Sequence, residues 1–405
     1  MEITAGAMTK SEYEARWRRA QEECKKRGLD ALVVWSRGGG AVDSYADVLY
    51  LANHSSPFPL IGDLPGHWSG RAHSAVVLPT NHEPVLVVDM PDWRRDLVVT
   101  DEVRFALDLP REVAQVLREH SLSDGRLGLV AGNAMLVSPY RSLLDAVPEA
   151  TFVPADVLLE ELRAHKSDAE LEMLREAAEV GNAVVAAMID KALIPGATEA
   201  EAVAAGWALA VSSGVAPYDA CVASGPHSDC YAYGRLPSWT TRSLEEGDFF
   251  HVDTYGALSG YLYDFARCCV VGGKPTSEQR EVLEAVVGAV EAGVQAIGPG
   301  VRACDVFQAV HSVLEDRGMV PDEGESTQVV SALTTSFPAH GHSFGLAWER
   351  PWLVADNEDV LEANMCFGIE AMAGRAGVGS VKFEENVLLT RDGVEVLTVI
   401  PVAYW

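Results

Sequence analysis

The sequence lacks an excess of basic residues, a long apolar run and a paired cysteine motif. Its 405 residues carry a formal net charge of −28, whereas surfaces that bind nucleic acids or anionic membranes need clustered Lys and Arg. No apolar run reaches the roughly 18 residues of a membrane span, and the first residues lack a signal-peptide pattern. The 7 cysteines form no CxxC pair, so we expect reduced thiols in a cytoplasmic protein. From the charge and the lack of a long apolar run, we expect a protein that binds neither nucleic acid nor membrane.

The order of apolar segments predicts two domains, which the chain is long enough to form. Residues 9–27 have the pattern of an amphipathic helix, and 30–36, 73–89 and 126–132 have that of strands. Strands that alternate with helices indicate an α/β domain. We therefore predict an α/β domain over residues 1–165 and a second domain over 166–405.

Two helix starts in the second domain carry the same local signal. Ser167 with Glu170, and Thr198 with Glu201, have the spacing of a capping box. A Pro-Gly turn followed by a helical pattern occurs at 194–214 and again at 297–318, which indicates an internal duplication.

From residue 219 onward, strand-like segments contain acidic residues inside apolar runs. These acids are Asp253, Asp264, Glu370 and Glu384. A carboxylate in a buried strand is costly unless it is paired, protonated or bound to a metal ion. Four such groups cannot share one core without strong cations, because neighbouring like charges disfavour joint ionisation.

The stretch HGHSFGLAWERP (340–351) adds an imidazole, and we select His342 as the fifth candidate ligand. Four carboxylates with one histidine suit Mn, Fe, Co or Zn and not a structural zinc site built on cysteines. Two divalent ions about 3.5 Å apart would resolve the charge conflict and activate a water molecule as a nucleophile.

Five motifs in order carry a family resemblance: LRAHKSDAELEMLREA, D-x10-D, GHSFG, an isolated IE and VKFEENVLLT. Together they resemble the creatinase, aminopeptidase P, prolidase and methionine aminopeptidase family over about residues 162–400. The resemblance implies an α+β pita-bread catalytic domain preceded by a smaller α/β creatinase-type domain. It also implies that Asp253, Asp264, His342, Glu370 and Glu384 hold two divalent metal ions. Glu370 would in addition serve as the general base.

The sequence departs from this family at two positions where its peptidases have histidine. In SGPHSDCYAY (224–233) the position holds Ala232, and in WERP (348–351) it holds Trp348. One lost donor of this kind typically costs about 2–4 kcal/mol of transition-state stabilisation, by analogy with oxyanion holes. Trp348 instead offers an apolar wall or a face for a cationic group.

The double loss of histidine also resembles the dimethylsulfoniopropionate lyase branch of the family. That branch has a proton-abstracting Asp at the position of Trp348, and an indole cannot abstract a proton. A lyase would therefore need another base, for which Glu349, Asp229 and Tyr231 are the candidates.

Members with this N-terminal domain are usually homodimers, which the resemblance implies here too. HWSGRAH (67–73) is the candidate for a loop that closes over a small-molecule substrate, with Arg71 pairing with a carboxylate. We predict substrate contacts from Trp68, Arg71, His227, Tyr231 and His340. Catalytic roles are predicted for Glu370, Trp348 and Glu349.

The first functional hypothesis is a dinuclear metal-dependent hydrolase that cleaves an amide or other C–N bond of a small-molecule or dipeptide-like substrate. The alternatives are a metal-dependent lyase and a non-catalytic binding protein on the same fold. Retention of all five ligands argues against the binding protein, since such a role gives no reason to keep four carboxylates together.

Overall fold

The computed structural model describes residues 8–38, 44–56, 58, 61–230, 236–320 and 338–401. These residues form two compact units, of which one ends at Arg163 and the other begins at Ala164. The domain boundary predicted from the sequence, after residue 165, lies beside this division. None of the described helices has the length and apolar character needed to cross a bilayer.

The first unit is built around a mixed six-stranded sheet in the order β4-β3-β2-β1-β5-β6. Buried apolar side chains on β1, β2 and β3 pack against the helices, which explains why these strands are almost continuously apolar. The elements are α1 Lys10–Lys26, β1 Ala31–Arg37, α2 Ala46–Ala52, β2 His73–Pro79, β3 Val85–Val88, β4 Glu102–Phe105, α3 Leu109–Glu119, β5 Arg126–Val130, α4 Val137–Ala146, β6 Thr151–Pro154 and α5 Asp156–Ala164.

The second unit contains two antiparallel sheets, β7-β8-β9 and β11-β10-β12-β13-β14. A pair of helices packs on each of them. The elements are α6 Asp168–Ala192, α7 Glu199–Ser212, β7 Ala216–Ser224, β8 Phe249–Leu258, β9 Tyr261–Val270, α8 Ser277–Ala296, α9 Ala303–Asp316, β10 Ala339–Phe344, β11 Trp348–Val354, β12 Cys366–Arg375, β13 Gly379–Thr390 and β14 Gly393–Val396.

The two halves of this unit repeat one design, as the two Pro-Gly and helix patterns indicated. Helices α6 and α7 form one apolar core with the three-stranded sheet, and α8 and α9 form another with the five-stranded sheet. Sequence analysis did not identify α8, although Thr276 and Gln279 form a capping box at its start. The predicted capping boxes of α6 and α7 are both present.

Hydrogen bonds join the two sheets where the candidate ligands lie. The backbone N–H of Asp264 on β9 donates to Asn386 Oδ1 on β13 at 3.2 Å, and the Asn386 amide donates to the Asp264 carbonyl. Arg267 Nη1 on β9 donates to the backbone oxygen of Glu384 at 2.6 Å. Because Asn386 and Arg267 are fully buried, these contacts fix β9 against β13.

Candidate metal centre

Strand register places the acidic residues on common faces of the two sheets. Glu370 on β12 lies directly opposite Glu384 on β13, so their side chains share one face. Asp264 on β9 lies opposite Tyr255 on β8, which is two residues beyond Asp253. Since side chains alternate along a strand, Asp253 and Asp264 also share a face.

Three of the five predicted ligands have donor atoms close enough for one ion. One ligand atom from each of Asp264, His342 and Glu384 lies within 4.8 Å of the others, and all three residues are buried. His342 Nε2 lies 3.7 Å from Asp264 Oδ2 and 3.8 Å from Glu370 Oε1. The structure therefore brings Glu370 to the same cluster.

The orientation of His342 suits a metal ligand. Its Nδ1 lies 3.2 Å from the Ser343 carbonyl oxygen, to which a protonated Nδ1 would donate. In that tautomer the lone pair of Nε2 is directed at the carboxylates of Asp264 and Glu370. Burial lowers the pKa of His342, which favours the neutral form that a metal ion requires.

Lys382, which was not predicted as a site residue, places its ammonium among the carboxylates. Its Nζ is 2.5 Å from Asp253 Oδ2, 2.8 Å from Glu370 Oε2 and 3.6 Å from Glu384 Oε2. The signal was available, because Lys382 and Glu384 are two residues apart and project from the same face of β13. A lysine in a strand is usually solvated, but this one is 4% exposed.

Carboxylates outnumber cations in this buried cluster. Burial raises the pKa of Asp264 well above its usual range, and the charge of Asp253 raises it further. Burial also raises the pKa of Glu384, with Asp264 as the main charged neighbour. Within the described residues, the buried Glu384 Oε1 has no hydrogen-bond donor. An oxygen-rich set with an unsatisfied carboxylate oxygen fits a divalent cation.

Trp348 lies directly beside the cluster. Its indole Nε1 donates to Asp264 Oδ2 at 2.5 Å, and its ring packs edge-on to Tyr255 with centroids 5.0 Å apart. Trp348 therefore contacts a candidate ligand through a donor that neither accepts nor releases a proton in catalysis. This hydrogen bond fixes the Asp264 carboxylate, a role that the sequence did not reveal.

Glu349, predicted as a catalytic residue and a candidate base, projects from β11 to the side opposite Trp348. Its Oε2 lies 3.7 Å from Lys166 Nζ, and both side chains are 1% exposed. Lys166 also donates to Ser343 Oγ at 3.3 Å. The geometry thus gives Glu349 a structural ion pair and does not bring it to Asp264.

The other described candidates of the second unit have contacts of their own. His340 packs on Phe307 with centroids 4.7 Å apart, its Nε2 is 3.2 Å from His311 Nδ1, and burial lowers its pKa to about 4. His227 is exposed at the end of a 3₁₀ turn, and Asp229 accepts a hydrogen bond from Ser380 Oγ at 2.8 Å. Tyr231 and Ala232 lie outside the described residues.

Trp68 and Arg71 belong to the first unit. The Trp68 indole donates to the Gly62 carbonyl at 2.9 Å. Arg71 Nη1 donates to the Asp89 carbonyl at 2.8 Å, and Arg71 Nε lies 3.7 Å from the Asp89 carboxylate. Arg71 thus already has an acidic partner within its own unit, and the contact with substrate stays a prediction.

Two family models match the chain, one in each unit. Residues 172–391 match the model described as metallopeptidase family M24, and residues 16–165 match the creatinase/prolidase N-terminal domain. Together these matches confirm the predicted fold class: a pita-bread catalytic domain after a smaller α/β creatinase-type domain.

Individual proteins are similar over different lengths. A probable dipeptidase PepE of Mycobacterium tuberculosis is 33% identical over 258 residues, or 62% of each chain, so the match spans about three fifths of that relative. Creatinase of a Bacillus species is 24% identical over 97% of this chain and 92% of its own length. The solved dipeptidase PepE from Mycobacterium ulcerans is 26% identical, covers 98% of both chains and superposes with a TM-score of 0.76.

Proposed function

Because this chain belongs to metallopeptidase family M24, we propose that it is a dinuclear metal-dependent hydrolase of an amide or other C–N bond. The substrate would be a small molecule or a dipeptide-like compound. The observation that carries the proposal is the buried cluster of Asp264, His342 and Glu384, with donor atoms within 4.8 Å of one another. Similar proteins are named dipeptidase, Xaa-Pro dipeptidase and creatinase, and the first two names describe cleavage of a peptide C–N bond.

Five residues would hold two divalent ions in the proposed centre. They would come from both sheets: Asp253, Asp264, His342, Glu370 and Glu384. Mn, Fe, Co or Zn would suit these ligands. The bound ions would polarise the scissile carbonyl and lower the pKa of an attacking water molecule.

Glu370 would manage the proton of that water. Its Oε1 lies 3.8 Å from His342 Nε2, whereas its Oε2 is held by Lys382 Nζ at 2.8 Å. With one oxygen held, the other would accept the proton and later deliver it to the leaving nitrogen. Lys382 would fix the rotamer of Glu370 in this scheme and would not itself transfer the proton.

The range of substrates would be narrower than that of a general Xaa-Pro peptidase. Trp348 occupies the position at which the family's peptidases have histidine, and its only polar hydrogen is donated to Asp264. It therefore has no donor left to stabilise a developing oxyanion, a function worth about 2–4 kcal/mol in other hydrolases. Stabilisation of the oxyanion would then depend on the ions and on a well-positioned substrate.

The first test is the metal content of the purified protein after loading with Mn or Fe. We expect about two ions per chain, and we expect Asp264→Ala to lose them. Asp305→Ala, an exposed carboxylate paired with Arg302, is the matched control and should keep both ions. Failure to bind any ion under all loading conditions would contradict the proposal.

Product analysis tests the reaction class separately. The loaded protein would be incubated with an Xaa-Pro dipeptide and with dimethylsulfoniopropionate. Release of an amino acid would support hydrolysis. An alkene product would instead require the lyase alternative, which none of the relatives described above supports.

We also propose a homodimer that works in the cytoplasm. All 7 cysteines are free thiols, which suits a reducing compartment. Size-exclusion chromatography with light scattering would test the dimer, and a monomeric mass over the working concentration range would contradict it.

A further inference from the structure

Two aromatic rings form a corner next to the candidate ligands. The Tyr255 and Trp348 ring centroids lie 5.0 Å apart with their planes at 72°. Both side chains are only partly buried, so solvent reaches them although Asp253 and Asp264 beside them are buried. Two nearly perpendicular rings make two walls on which a weakly hydrated cation can rest.

The corner is held rigidly. Trp348 is fixed by the hydrogen bond from Nε1 to Asp264, and Tyr255 lies in the middle of β8 between two paired strands. Because both rings are held in place, little conformational entropy is lost when a ligand binds.

A carboxylate lies beside the corner. Asp219 on β7 is the cross-strand partner of Tyr255, and its side chain is partly exposed. Its oxygens accept hydrogen bonds from the Ala220 backbone at 2.7 Å and from Ser238 Oγ at 3.0 Å, which are both neutral donors. The Cys221 thiol, with Sγ 3.9 Å from Asp219 Oδ2, is also a neutral donor, so none of these contacts neutralises the carboxylate. Its charge is therefore available to a bound cation.

We propose that Tyr255, Trp348 and Asp219 form a subsite for a weakly hydrated organic cation, a quaternary ammonium group of the substrate. The inference deepens the proposed function, since it rests on this centre being the site of reaction. It adds the substrate class, a small compound with a fixed positive charge. The carboxylates around the ions offset their charge and allow a cation to approach.

The probe is choline, compared with its neutral isostere 3,3-dimethylbutanol. Binding would be measured by isothermal titration on the metal-free protein and again on the Mn-loaded protein. We expect choline to bind about tenfold tighter than the alcohol, because only the ammonium gains cation–π and charge–charge energy. Equal affinities, or no measurable choline binding in either form, would overturn the subsite.

Single variants test what each side chain of the subsite contributes to choline binding. Tyr255→Leu removes a ring and Asp219→Asn removes a charge, and each should weaken choline binding about fivefold. Tyr255→Phe is the matched control, which keeps the ring and should bind choline within about twofold of the parent. Far-ultraviolet circular dichroism would confirm folding. Unchanged choline affinity in both folded loss variants would also overturn the proposal.

These outcomes are separable from failure of the hydrolase proposal. If the protein bound no metal ion but choline still bound with the expected variant pattern, the subsite would stand and the proposed reaction would fall. Conversely, two ions and turnover of a neutral dipeptide, without selective choline binding, would leave a hydrolase that has no cation subsite.

Discussion

Replacement of Lys382 by methionine tests whether the candidate centre depends on an internal cation. The substitution keeps an unbranched side chain of similar length and removes only the ammonium. That group lies 2.5 Å from Asp253 and 2.8 Å from Glu370, and the lysine is 4% exposed. Loss of one partner from a buried ion pair typically costs about 3–5 kcal/mol, because the remaining charge is left uncompensated. We expect a loss of about 3 kcal/mol in the absence of metal ions.

Divalent ions should rescue this variant. An ion that binds only the folded state at 100 times its Kd adds about 2.7 kcal/mol of stability. The free energy of unfolding would be measured by urea denaturation, once in EDTA and once in Mn. Because the ions would neutralise the carboxylates that Lys382 otherwise neutralises, they should bind the variant more tightly than the parent. The difference between parent and variant in the free energy of unfolding should therefore be large in EDTA and smaller in Mn.

The stability that Lys382→Met loses should also depend on pH. The pKa values of Asp264 and Glu384 are already raised by burial, and removal of the ammonium raises them further. A carboxyl group with a raised folded-state pKa contributes stability at low pH and loses it as the pH rises. The Lys382→Met variant should therefore lose less stability at pH 5 than at pH 8.

The matched control is Lys274→Met. Lys274 Nζ lies 3.6 Å from Glu246, but the lysine side chain is 81% exposed. An exposed pair of this kind contributes at most about 1 kcal/mol. If Lys382→Met changed stability in EDTA no more than this control, the view of Lys382 as a structural cation would be refuted.

Three further predictions address other parts of the chain. Burial lowers the pKa of His73 from 6.5 to about 4, so the free energy of unfolding falls as the pH drops through that range, by about 2 kcal/mol at pH 5. In urea denaturation, His73→Gln should lose correspondingly less stability between neutral pH and pH 5. Trp348→His should raise the kcat for an Xaa-Pro dipeptide at least about tenfold by supplying the missing donor, and an unchanged kcat would contradict this. Gly181→Ala should destabilise the protein by about 1–3 kcal/mol in thermal unfolding, because an added Cβ would lie 2.6 Å from a tyrosine ring. In the control Gly288→Ala the added Cβ meets no atom within 4 Å, so this variant should be neutral or stabilising.

Local signals in the sequence were sufficient for several elements. The capping boxes at Ser167 and Thr198 depend on residues three positions apart, so the chain itself contains the whole signal. The acidic residues were identified in the same way, because a carboxylate within an apolar strand is unusual wherever it occurs.

Contacts between distant strands were not accessible in that way. The spacing of Lys382 and Glu384 puts both on one face of β13, but the contact of Lys382 with Asp253 depends on the packing of β8 beside that face. Glu349 was a candidate base in the sequence, whereas alternation along β11 turns it toward Lys166. Which face of a strand meets the site depends on register and packing, and neither is encoded in spacing along a single segment.

The candidate ligands come from both halves of the repeated design. Asp253 and Asp264 lie in the three-stranded sheet, whereas His342, Glu370 and Glu384 lie in the five-stranded sheet. During synthesis on the ribosome, the first two therefore emerge long before the last strand that completes the set. A nascent or truncated polypeptide would present only a pair of carboxylates, which is a weak chelator. Metal binding would then be a late event in biogenesis, because a tight site would exist only after both halves have been translated and have packed together.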